Sequence, residues 1–256
     1  PSSFHAAAEV ARRLTAAGFT SLDETAPWSV EPGARQLVVR DGAVLAWVVP
    51  SGADASTPFH IFGAHSDSPG FKLKPQPTTG RLGWLQAGVE VYGGPLVNSW
   101  LDRELRLAGR LVLEDGTEVL ADSGPLLRLP QLAIHLSENR KGVELDPQRH
   151  LHAIWGTSGA GGFLSRVAAS EGYAADDVLG FELMTHDLAP SRTVGADGAL
   201  VSAPRLDNQG TCYAGLHALL DGEPTIHTRV LALFDHEEVG SGSERGAASD
   251  FLATTL

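Results

Sequence analysis

Residues 228–234, Thr-Arg-Val-Leu-Ala-Leu-Phe, make an apolar β-prone run that halts at four consecutive ionisable side chains, Asp235, His236, Glu237 and Glu238. Such a cluster is costly unless water, a partner or a metal ion satisfies it. The Gly-Ser-Gly-Ser stretch at 240–243 reads as a loop. A fold for this chain must therefore bring a buried strand to an open rim and hold four polar groups there.

The rest of the pattern supports an α/β fold, a central β-sheet flanked by helices. Ser3 is placed to cap a helix on which Ala7, Val10, Ala11 and Leu14 recur at helical spacing, with Gly18 to end it. "RQLVVRDGAVLAWVV" sets two β-prone runs around Asp41-Gly42, a hairpin signal. "FHIFGAH" reads as a short buried strand, "FLSRVAASEGY" as a helix and "VLGFELMTHD" as a strand. In "PRLDNQGTCYAGLHALL", Asp207 or Asn208 is placed to cap a helix whose apolar face carries Cys212, Leu216, Leu219 and Leu220. Between about Leu82 and Val167 the texture turns to glycine-punctuated β-type runs, which suggests an inserted domain. The expected division is 1–81 and 168–256 for the α/β part and 82–167 for a β-rich insert.

Composition narrows the function. A formal net charge of −12 argues against nucleic acid or an anionic membrane as the main partner. The single cysteine, Cys212, excludes an intrachain disulfide framework and a Cys-rich zinc module. The opening "PSSFHAAAEVARRL" has no basic segment leading into an apolar one, and no run reaches the ~18 apolar residues of a membrane span. A soluble, cytoplasmic protein is the expectation.

Three spots recur in one context, a loop just past an apolar segment: "GAHSDSPG" with His65 and Asp67, "PRLDN" with Asp207, and "DHEEVG" with Glu237 and Glu238. Open α/β sheets bind ligands outside the carboxyl ends of their strands, where all three can converge. Imidazole plus carboxylates suits Zn²⁺ or a similar divalent ion. Each spot also has a plainer reading: a turn stabilised by Asp67 and Ser68, a helix cap at Asp207, a solvated glutamate pair. The pair is the hardest to read plainly, because one carboxylate can bind metal while its neighbour takes a proton from water. His186 and His236 rank lower, "GAGGF" at 159–163 lacks a P-loop lysine, and Ser241 and Ser243 lack a nucleophile elbow.

In this order the pieces resemble the M18 metallo-aminopeptidases, the aspartyl aminopeptidases. The resemblance runs collinearly through "SSFHAAAEVARRL", "GAHSDSPGFKLKP", "GVEVYGGPLVNSWLDREL", "PQLAIHL", "LMTHDLAP", "SAPRLDN" and "DHEEVGSGSERGA". It implies a cytosolic enzyme that removes N-terminal residues, preferably acidic ones, from peptides with two divalent ions, zinc first and manganese or cobalt as alternatives. It also implies that the insert dimerises and that the subunits build a dodecamer. Under it, His65 binds one metal, Asp207 bridges both, Glu238 binds the other, Glu237 is the general base and Asp67 orients His65. His135 then reaches a neighbouring protomer's site. The family pattern places a further aspartate and a histidine ligand beyond "SDFLATTL", so the expectation is a fragment of a longer protein. A non-catalytic peptide-binding or assembly protein and a metal-dependent amidohydrolase are the alternatives.

Overall fold

The structure is a computed structural model that describes residues 1–139, 141–222 and 226–256. Along the chain run α1 (Ser3–Ala16), β1 (Thr20–Ser21), β2 (Arg35–Arg40), β3 (Ala43–Val48), β4 (Phe59–His65), β5 (Gly70–Arg81) and β6 (Trp84–Tyr92). Then come β7 (Glu104–Leu113), β8 (Glu118–Asp122), β9 (Leu127–Arg128), α2 (Pro147–His150), β10 (Ala153–Thr157), α3 (Phe163–Ser170) and β11 (Val178–Asp187). The chain closes with β12 (Arg192–Val194), β13 (Leu200–Ser202), α4 (Leu206–Asp221), β14 (Thr228–Phe234) and α5 (Phe251–Thr255). Two compact units result: one from Ser2–Ser68 with Arg205–Leu256, the other essentially Pro69–Pro204. No helix among the described residues is long and apolar enough to cross a membrane.

In the first unit the sheet order is β1-β2-β3-β14-β4. β14 runs antiparallel to β3 and parallel to β4. Its side chains alternate between two cores, as the two-residue period of a strand requires. Leu231 and Leu233 pack with Leu37, Val44 and Ala46 under Ala7, Val10 and Leu14 of α1 and Cys212, Leu216 and Leu219 of α4. Val230 and Ala232 face the other way, toward Val38, Leu45, Trp47 and Phe251 of α5. Both faces are covered, which is why the run reads as continuously apolar.

Two helix starts differ from the sequence reading. Ser2, not Ser3, is the N-cap of α1, its hydroxyl accepting from the His5 N–H at 3.4 Å. Asp207 and Asn208 do not cap α4: both have non-helical backbone angles, and no side chain caps the start. The Asp207–Asn208 peptide is cis. The hairpin around Asp41-Gly42 is as expected, with Arg40 opposite Ala43.

The second unit is a closed barrel. The order β11-β5-β6-β10-β9-β7 is joined into a ring by the pairing of β11 with β7, and β8 extends from β7. Phe71, Leu73, Val89, Leu105, Leu107, Leu111 and Leu183 fill it, together with Phe163 and Val167 of α3. The expected insert boundaries at 82 and 167 fall inside this unit, because β5 and β11 are the strands that close it. β5 was hidden by Pro75 and Pro77, which a central strand excludes. They sit where its register with β6 shifts, between Leu73 and Thr78. The closing seam is tight: a Cβ on Gly109 of β7 would lie 1.9 Å from the Glu182 carbonyl oxygen of β11. Gly109→Ala is therefore expected to cost about 1–3 kcal/mol through overpacking. Gly94→Ala, with open space around its Cβ, should stay within about 0.5 kcal/mol; denaturant unfolding of the two variants checks both.

Candidate metal centre

The site grows from one strand pair. In the parallel pairing of β4 and β14, His65 lies opposite Phe234, so both chains leave the sheet at the same level and in the same direction. The carboxyl ends of adjacent parallel strands are where an open sheet presents ligands. Ligand atoms of His65, Glu237 and Glu238 all lie within 4.8 Å of one another there. Nε2 of His65 is 3.3 Å from Asp207 Oδ1 and 3.8 Å from Glu237 Oε2. Its other nitrogen, Nδ1, faces Asp67, 3.2 Å from the carbonyl oxygen and 3.4 Å from Oδ1. A proton on Nδ1 leaves the Nε2 lone pair aimed at the carboxylates, the tautomer a metal ligand needs.

Asp67 is buried, and it does more than face a ring. Its Oδ1 accepts the N–H of Glu237 at 3.2 Å and its Oδ2 the N–H of Glu238 at 3.1 Å. One carboxylate thus clamps the glutamate turn and the histidine to each other. Asp207 is 84% exposed at its side chain and is positioned through its backbone, whose carbonyl accepts from Ser68 Oγ at 3.3 Å. Glu237 is half exposed and free to reach solvent. The Glu238 carboxyl is raised above the ordinary range, first by burial and then by the charges of Asp67 and Glu237.

Of the four consecutive ionisable residues, the first is not at the rim. Asp235 is fully buried. Its Oδ1 accepts the His236 N–H at 2.9 Å, its Oδ2 accepts the Ser3 hydroxyl at 3.1 Å, and Arg245 Nε lies 3.7 Å from Oδ2. Burial pushes this carboxyl up, against the pull of His236 and Arg245. Arg245 in turn pairs with Asp41. A Cβ on Gly42 would sit 2.2 Å from Asp235 Oδ2, so the hairpin glycine is also the space that the carboxylate occupies. Sequence reasoning passed over Arg245. The available signal was the need of a carboxylate placed directly after a fully apolar strand for a cation.

The His236 ring bonds Ser243 Oγ at 2.8 Å, and His186 is buried with its Nδ1 on the Asp187 carbonyl. Cys212 donates to the His65 carbonyl at 3.0 Å, and burial pushes its thiol up to about 11. His135 lies on a 3₁₀ turn, Ile134–Leu136, in the barrel unit, between exposed Leu132, Ile134 and Leu136.

Comparison with known proteins decides the family. The model of the aminopeptidase I zinc metalloproteases (M18) matches residues 1–256, the whole chain. The chain belongs to the M18 family. It is 50% identical over 264 residues to the probable M18 family aminopeptidase 2 of Mycobacterium leprae, covering all of this chain and 62% of that protein. With the probable M18 family aminopeptidase 2 of Streptomyces coelicolor the identity is 47% over 266 residues, covering 100% and 61%. The chain thus spans about three fifths of the length of these curated relatives. Among solved structures, a chain of the Ape4–Nbr1 complex superposes with a TM-score of 0.92 at 32% identity, covering all of this chain and 55% of its own length. The M18 aminopeptidase of Thermotoga maritima gives 0.84 at 25%, covering 100% and 59%.

The residues present fit a zinc ion. Asp67, Asp207, Glu237 and Glu238 gather around the one imidazole of His65. Four carboxyl groups around one imidazole favour a divalent cation, and the donor set is one zinc accepts. Two outcomes follow for this M18 chain. Asp67→Asn should weaken zinc binding roughly 10–100-fold, as loss of an outer carboxylate does elsewhere; chelator competition measures it. Arg245→Ala should lower unfolding stability by about 3–5 kcal/mol, since it leaves a buried carboxylate uncompensated; urea denaturation measures that.

Proposed function

We propose that this chain carries the metal-holding part of a cytoplasmic aminopeptidase that releases N-terminal residues, acidic ones preferred, from peptides. The observation that carries the reading is the convergence of His65 with Glu237 and Glu238 at the carboxyl ends of β4 and β14. Membership of a family described as zinc metalloproteases supports it. His65 would hold one ion, Asp207 would lie between two, and Glu238 would hold the second. When bound, zinc supplies Lewis acidity to the scissile carbonyl and to the attacking water.

The other steps belong to the protein. Glu237, half exposed and beside the ligands, takes the water's proton and passes it to the leaving amine. Asp67 fixes the His65 ring and the Glu237 backbone together, so base and ligands keep one geometry. The preference for acidic residues, the pairing of subunits through the barrel unit and the reach of His135 into a neighbouring subunit rest on the family resemblance. Homo-oligomerisation is part of the same reading; a yeast mApe1 of the same fold is described as a dodecamer.

The test is hydrolysis of short peptides with N-terminal Asp, Glu, Leu or Ala by the full-length gene product, before and after chelation and with zinc, manganese or cobalt restored. Metal-dependent release led by Asp and Glu is expected. Glu237→Gln should cut kcat by roughly 10²–10⁴-fold while zinc content is unchanged. Hydrolysis within a few-fold of the parent would remove Glu237 from the base role.

A further inference from the structure

The barrel unit contains a cleft of about 650 Å³ that the aminopeptidase reading leaves unused. Its floor is the outer face of three strands. Thr79 of β5, Gln86 of β6 and Ile154 of β10 stand in one row, and Arg81 pairs with Trp84 in the next. Residues directly opposite in a sheet project from the same face. Their neighbours Ala87 and Ala153 are buried in the barrel core, as the alternation of a strand requires. The wall is Gln148 and Arg149 of α2, with His152 leading into β10.

The lining includes two guanidinium groups and one imidazole, and none of its ten residues is acidic. In a chain of net charge −12 that is a local inversion. Among the described residues, Arg12, Arg13, Arg40, Arg103, Arg106, Arg110, Arg128 and Arg245 each face a carboxylate. Arg81 and Arg149 have no side-chain partner among the described residues. The nearby carboxylate, Glu90, is taken up by Lys74 at 3.0 Å and by Gln148, whose Nε2 donates at 2.8 Å. That pairing also locks Gln148, since Lys74 Nζ donates to its Oε1 at 2.8 Å, and so steadies the wall on which Arg149 sits.

A guanidinium keeps five donors in a planar fork that matches carboxylate and phosphate oxygens, and a concave wall concentrates its field. Trp84, half exposed in the same cleft, adds an apolar face for the remainder of a ligand. We propose that this cleft binds a small organic oxyanion, its carboxylate or phosphate held by Arg81 and Arg149 and its carbon skeleton resting on Trp84. The site belongs to the barrel and needs neither zinc nor peptide hydrolysis, so it stands apart from the aminopeptidase reading.

Calorimetric titration of the intact protein with inorganic phosphate and, separately, with succinate tests it. Saturable binding that weakens as salt rises is expected for one or both; the tighter of the two names the anionic group. In the double variant Arg81→Gln/Arg149→Gln that binding should fall at least tenfold. Arg192→Gln, on β12 outside the cleft, should leave it unchanged. Both variants alter exposed side chains, and an unshifted thermal unfolding transition confirms that they fold. No saturable binding of either anion up to roughly 10 mM, a free energy of about −3 kcal/mol, overturns the proposal. So does binding that the double variant retains in full.

Discussion

The parallel pairing of β4 with β14 is the constraint on which the candidate metal centre depends. Sheet hydrogen bonds set His65 level with Phe234, so the next residues of both chains emerge together at one rim. Backbone pairing supplies that proximity, which a one-residue register slip would destroy by turning every side chain to the opposite face. The alternating apolar residues of β14 make such a slip costly, since Leu231 and Leu233 belong to one core and Val230 and Ala232 to the other.

Upon that frame, polar contacts of three residues, Asp67, Ser66 and Gln209, assemble the rim. The Asp67 carboxylate joins the His65 loop to the glutamate turn through two backbone amides. Ser66 ties the same loop downward, its N–H to Phe234 O at 2.8 Å and its hydroxyl to Gly42 O at 2.6 Å. Its carbonyl accepts from Gln209 Nε2 at 2.7 Å, which brings the start of α4 and hence Asp207 to the rim. Beneath lies Asp235, surrounded by Ser3, Arg245 and the vacant side of Gly42. Negative charge accumulates in this region faster than the protein compensates it. The Glu238 carboxyl is raised first by burial and then by the charges of Asp67 and Glu237, and a divalent ion would stabilise its ionised form.

The barrel unit follows a different logic. Closure of β11 onto β7 pairs the edge that β11 would otherwise expose and leaves β8 as the strand that ends the sheet. With the interior taken by Phe71, Leu105, Leu107, Leu111 and other apolar side chains, function can reside only on its outer face and its connections. The Arg81–Arg149 cleft and the apolar stretch around His135 are both of that kind.

By itself, the sequence determined many of the elements and picked out the residues with metal-competent chemistry. Helical spacing named the buried face of α1, the Asp-Gly pair named the β2–β3 hairpin, and the strand before Asp235 named a rim with metal-competent residues; each signal is local, written within a few residues by period or turn chemistry. His65, Asp67, Asp207, Glu237 and Glu238 were legible because their residue types are few and their context repeats. Only the tertiary structure decided which of these residues are buried and what they pair with. Asp235 proved to be core and not rim, Arg245 proved to be its counter-ion, Ser2 rather than Ser3 caps α1, and Asp207 does not cap α4. The barrel runs from 69 to 204 because β5 and β11 find each other's neighbours across more than a hundred residues. Burial, charge pairing and strand closure are sums over residues distant in the chain, and no local pattern contains them.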